Sequence, residues 1–110
     1  MTRSDVLKEA ERCVCGQRQE DYGSPERSFE IIAKLWNVWI GAAHPELYRL
    51  SGNDIFTPKD VSMMMALLKV ARIAKGTKSD SYIDLAGYAA CAGELDTENA
   101  KKVVTQHDGL

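Results

Sequence analysis

What the sequence lacks narrows it first. No apolar run approaches the roughly 20 residues that cross a bilayer, so no membrane is an expected partner. An excess of basic residues is missing as well: 14 Lys and Arg stand against 16 Asp and Glu, a formal net charge of −2. Duplex nucleic-acid binders draw much of their affinity from neutralising phosphates, so duplex nucleic acid is not expected either. A small anionic ligand, which needs only two or three placed cations, is not excluded. Cysteine is scarce and odd in number, with Cys13, Cys15 and Cys91, and residues 1–11 are polar and amphipathic rather than secretory. The expectation is a cytoplasmic chain with reduced thiols. Cys13 and Cys15 form a C-x-C with no second Cys or His pair near it, so zinc is not expected and the thiols read as small buried hydrophobes. Of the two histidines, His44 precedes Pro45 in a loop and His107 lies in a tail expected to fray.

What is present describes one helical domain. The 110 residues are 45% hydrophobic and 27% charged, the balance of a globular chain of modal domain size. The domain is expected to span 1–110, with a core over about 4–96 and a tail over about 97–110. Four helices can be read, and no strand competes. The first covers 4–19, with Val6, Leu7, Ala10, Cys13, Val14 and Gln17 on one face, and stops before Gly23 in a left-handed C-terminal position. Ser24 as N-cap and Pro25 in the first position open the second. Phe29, Ile32, Leu35, Trp36, Trp39 and Ile40 then recur as an aromatic stripe facing the core, with Trp39 available to an oligomer contact, and Gly41 closes the helix. Residues 42–56 form a long connection with one short turn around 46–50.

Thr57, Pro58 and Asp60 carry the capping signature of the third helix. Val61, Met64, Met65, Leu68 and Ala71 are its apolar positions, Met63 to Met65 read as adaptable core packing, and Gly76 ends it. The fourth starts with Ser79 as N-cap, and a fraying or separate short helix follows to about 104. Ala86, Gly87, Ala89, Ala90, Cys91, Ala92 and Gly93 form a run of small residues in it. Two glycines inside a helix cost stability, so a backbone or a ligand is expected to come close there. The fold expected is an all-α four-helix bundle. The small-residue face and the Trp36/Trp39 end exceed what one small bundle buries, so a homo-oligomer is expected.

Some polar residues do not read as surface. Lys69 and Arg72 are three apart on one face of the third helix, with Ser62 two turns earlier. On the fourth, Asp80, Asp84, Gly87, Tyr88 and Cys91 occupy the positions of a core stripe that begins with two carboxylates. Asp80 at a first turn is also what the helix dipole favours. Asp84 needs partners, and Lys69, Arg72 or Arg18 can supply them. Two readings stay open: an internal ion-pair network tying the helices, and a polar pocket between them. Arg18, Asp21 and Tyr22, just before the Gly23–Pro25 break, would supply a second wall to that pocket.

The combination of "RQEDYG" (18–23), "LWNVW" (35–39), "MMALLKVAR" (64–72) and "DSYIDLAGYAA" (80–90) resembles a family of small phage-encoded helical proteins of uncharacterised function. That family is similar in architecture to the MazG-like all-α nucleotide pyrophosphohydrolases. The resemblance implies a MazG-like bundle. It also implies a comparison with those enzymes' E-E-x-x-E and E-x-x-D helices, whose acids hold Mg²⁺ against a nucleoside triphosphate. Asp80 and Asp84 stand where the second motif would be, at spacing four rather than three. The helix before them offers Met64, Leu67, Leu68, Lys69 and Arg72 in place of acids, with Asp60 at its start.

Three functions follow. The first is nucleotide binding without chemistry, metal or cofactor. Arg18, Lys69 and Arg72 would meet phosphates, Asp21 or Asp84 would sit beside ribose or base edges, Tyr22 or Tyr88 would stack, and Asp80 would belong to the same ligand site. In a phage protein acting in the host cytoplasm, this would serve as an anti-defence sponge for a nucleotide immune signal, a cyclic oligonucleotide or an ADP-ribose derivative. The second is a Mg²⁺-dependent nucleoside triphosphate pyrophosphohydrolase using Glu20, Asp21, Asp80 and Asp84. The third is a helical interaction module without a ligand.

Overall fold

A computed structural model of the chain describes residues 1–16, 24–51, 55–76 and 79–107, and these residues are all-helical, with no strand among them. The helices are α1 (Arg3–Cys15), α2 (Pro25–Ala43), α3 (Pro45–Ser51), α4 (Pro58–Lys75) and α5 (Ser79–His107).

Local chemistry sets the starts. Thr2 caps α1 through a reciprocal pair with Asp5, whose carboxylate is held below the usual range by the Thr2 backbone N–H and hydroxyl. Ser24 accepts from the Arg27 N–H and Pro25 takes the first position of α2, as the sequence implies. Thr57 and Asp60 cap α4 reciprocally, and Gly76 ends it by donating to the Arg72 and Ile73 carbonyls.

Four boundaries differ from expectation. α1 ends at Cys15, with the Gly16 N–H closing the last turn on the Arg12 carbonyl, so it is about a turn shorter than the 4–19 reading. α2 passes through Gly41 to Ala43. The glycine is there for space: a Cβ on it would lie 2.8 Å from the Tyr48 ring, which α3 lays over this point. Ser79 already lies within α5 instead of capping it, and α5 continues unbroken to His107 where a frayed or separate segment was expected.

α4 and α5 form the principal pair, α1 lies against α5, and α2 packs on α4 with its N-terminal half reaching α5. The core sits where α2, α4 and α5 meet, at Phe29, Ala33, Val61 and Cys91. Val14, Ile32, Trp36, Phe56, Met65, Tyr88 and Leu95 lie around it. Trp36 meets Phe56 edge-on at 5.6 Å. The Asn37 side chain donates to the Phe56 carbonyl at 3.0 Å and accepts from its N–H at 2.8 Å, which pins the approach to α4 against α2.

The core is smaller than the sequence suggests. Leu35 and Trp39 of the aromatic stripe are exposed, and of the methionine run only Met65 packs inward. The thiols divide: Cys91 is buried, Cys13 half-buried and Cys15 exposed, so the reading of all three as buried hydrophobes holds for Cys91 alone. Gly87 is buried because α1 crosses it, with Val14 Cγ1 3.1 Å from where a Cβ would stand. A Cβ on Gly93 would meet nothing within 4 Å among the described residues, so the expected close approach is made at one glycine and not at the other.

Candidate functional site

The seam between α4 and α5 carries the polar residues singled out above. The two helices run antiparallel, and three cross-links fix their register. Lys59 Nζ lies 2.9 Å from Asp96 Oδ1, the Ser62 hydroxyl donates to the Tyr88 carbonyl at 2.7 Å, and Lys69 Nζ lies 2.9 Å from Asp84 Oδ2. These links grade from structure to chemistry. Ser62 is fully buried, and its bond to a main-chain carbonyl inside a helix is a packing device. Lys59 and Asp96 are an exposed pair of small energetic weight.

Lys69 and Asp84 are different. The lysine side chain is 12% exposed and the aspartate 32%, so the ammonium is largely withdrawn from water while one side of the carboxylate stays wet. Withdrawing an ammonium is costly unless a counter-charge meets it, and Asp84 does. The same register sets Arg72 and Asp80 one step further along, where α4 ends and α5 begins. Both are exposed, and no ion pair joins them among the described residues. The seam therefore closes as a satisfied ion pair inside and opens as an exposed guanidinium and an exposed carboxylate at its end.

The sequence-derived candidates sort accordingly. Lys69 and Asp84 are brought into direct contact. Arg72 and Asp80 stand at the mouth of the same seam, with Asp80 not turned towards the core as the stripe implied: at the first turn of α5 it is solvated. Tyr88 contributes its carbonyl to Ser62 and its ring to the core edge, 6.0 Å from Phe29, rather than a free stacking face. Arg18, Glu20, Asp21 and Tyr22 lie outside the described residues. The Lys59–Asp96 link was not anticipated, although the antiparallel register implied by Lys69 and Asp84 points to it.

A divalent cation finds little here. Among the described residues no three His, Cys, Asp or Glu side chains converge as a metal site. Asp84 already holds an ammonium, and the facing helix presents Lys69 and Arg72, which repel a cation. The described donor set does not fit Mg²⁺.

Comparison with known proteins gives a family. Residues 5–96 match the domain of unknown function DUF6378. The chain belongs to that family. It is 39% identical over 85 residues to the Gene 55 protein of Mycobacterium phage L5, covering 76% of this chain and 47% of the relative. It is 36% identical over 107 residues to the Gene 55 protein of Mycobacterium phage D29, covering 96% of this chain and 62% of the relative. The chain thus spans about half to three-fifths of the length of these curated relatives. No solved structure matches it. This DUF6378 chain is all-helical in its described residues, has phage-encoded relatives, and carries no helix long and apolar enough to cross a membrane among those residues.

Proposed function

We propose that this DUF6378 protein binds a small nucleotide at the open end of the α4/α5 seam and performs no chemistry on it. The observation that carries the reading is the gradient along the seam. A half-buried Lys69–Asp84 pair backs an exposed Arg72, so two cationic heads and a carboxylate belong to one strip of surface. Phosphate oxygens would take the Arg72 guanidinium in a bidentate contact, and Lys69 would add charge from behind. Asp80 would accept from a ribose hydroxyl or a base amine. Arg18, Asp21 and Tyr22 are proposed as the second wall.

The architecture proposed with it is a MazG-like four-helix bundle working as a homo-oligomer. The biological reading is an anti-defence sponge that holds a nucleotide signal in the host cytoplasm, and the phage origin of the relatives supports it. Hydrolysis is the less supported alternative, because the described donors do not fit Mg²⁺.

A nucleotide panel including cyclic dinucleotides and ADP-ribose, read by thermal shift in EDTA, tests the proposal. Stabilisation by one class, lost in Arg72→Ala, is the expected result. Metal-dependent pyrophosphate release abolished by Asp84→Asn would replace it with the hydrolase, and no response to any nucleotide would leave an interaction module.

A further inference from the structure

The outer face of α2 is apolar and bare. Ile31, Leu35, Val38 and Trp39 are 47, 63, 71 and 68% exposed, and Ala42 continues the stripe one turn further. Ile31, Leu35, Val38 and Ala42 lie on the side of the helix opposite Phe29, Ala33 and Trp36, which pack inward, and Trp39 flanks them at the edge. α2 therefore carries two apolar faces back to back. A helix apolar on both sides is the pattern of one buried on both sides.

The area is of the size a stable contact needs. Taking about 200 Å² for a fully exposed large side chain, these four leave on the order of 500 Å² of apolar surface uncovered, at the upper end for the largest patch on a monomer. Two such faces set together bury about 1,000 Å² from these residues alone, before any rim, where stable interfaces bury about 1,200–2,000 Å². The inner core is also slight: among the buried apolar side chains of the described residues only Phe29 and Ile83 are large. The cover must then be present whenever the chain folds, and a second copy of the chain always is.

We propose that the outer face of α2 is the contact between two copies of this chain, related by a two-fold axis with their α2 helices antiparallel. A two-fold contact uses one patch twice, so the patch must match itself reversed. The positions 31, 35, 38 and 42 step by four, three and four, which reads the same in either direction. Antiparallel pairing sets Ile31 opposite Ala42 of the second copy and Leu35 opposite Val38, with small against large at the ends and the bulkiest pair near the axis. Trp39, at the edge of the stripe, is covered by the pairing and acts as its anchor. The inference rests on the homo-oligomer reading and is independent of any nucleotide.

Sedimentation equilibrium on the full chain at micromolar concentrations tests it. The wild type is expected to show the mass of two chains or a multiple of it. Leu35→Glu and Val38→Glu are expected to weaken association at least tenfold with the far-UV circular dichroism of the monomer retained. Trp39→Ala, too mild to unfold the chain, should weaken it measurably. In a Trp36→Phe background, Trp39 emission should shift to the red on dilution. Leu67→Glu, on the separate exposed apolar patch of α4, should leave the mass unchanged. A monomeric wild type would overturn both the homo-oligomer reading and this contact. An oligomer that ignores the α2 variants and dissociates with Leu67→Glu would overturn the α2 contact alone.

Discussion

The Lys69 ammonium meets the Asp84 carboxylate at 2.9 Å across the α4/α5 seam, and the two partners are not equally dependent on the contact. Lys69 is the more buried. Asp84→Ala strands its charge, and the expected loss is about 1–3 kcal/mol, below the cost for a fully buried pair because Asp84 retains water. Lys69→Met leaves a carboxylate that hydrates readily, and the expected loss is under about 1 kcal/mol. The order of the urea midpoints of the two variants checks the asymmetry.

Asn37 makes the contact that no short-range pattern announces. Its amide satisfies both the N–H and the carbonyl of Phe56, nineteen residues away. Asn37→Leu removes both partners of part-buried main-chain groups and is expected to cost about 1–3 kcal/mol. Faster hydrogen exchange of the Phe56 amide is the direct reading. Unchanged protection there would contradict the assignment.

The two glycines of α5 respond in opposite ways. At Gly93 a methyl group meets nothing within 4 Å, so Gly93→Ala is expected to stabilise by about 0.5–1 kcal/mol through helix propensity. At Gly87 any Cβ presses on Val14, and a branched side chain cannot fit beside α1. Gly87→Val is expected to destabilise by about 1–3 kcal/mol, with part of the loss recovered on adding Val14→Ala. Thermal unfolding of the three variants decides the pattern.

Cys91 and Cys15 differ in reactivity and in pH linkage. Burial, then the charges of Glu26, Glu94 and Cys15, push the Cys91 thiol up from 9.0 to about 11. Alkylation at pH 8 is expected to label exposed Cys15 quickly and Cys91 only on unfolding. A thiol whose folded pKa is raised contributes stability that is whole below pH 9. It is lost as pH rises towards 11, by at most about 2–3 kcal/mol. Cys91→Ala should flatten that alkaline decline while lowering stability at pH 7.

Much of the fold was legible because its signals are local. Ser24-Pro25 and Thr57-Pro58 with Asp60 mark helix starts through side-chain bonds three residues long. Lys69 with Asp84 was legible because both hold core-side positions on helices joined by a short connection. What was not legible needs the whole molecule. Leu35 and Trp39 share helical spacing with Phe29 and Trp36, and periodicity cannot say which face of a doubly apolar helix turns inward. Gly41 reads as a stop until Tyr48 is laid over it. Asp80 shares its stripe with Asp84, but lies in the first turn of α5, where it is exposed.

Isothermal titration of the nucleotide selected by the panel, in EDTA, tests the central claim most directly, with wild type, Arg72→Ala and Asp80→Asn compared side by side. The account predicts saturable binding without metal, weakened at least tenfold by Arg72→Ala with unfolding midpoints unchanged, and weakened less by Asp80→Asn. Binding that Arg72→Ala leaves intact would contradict a site at the open end of the α4/α5 seam.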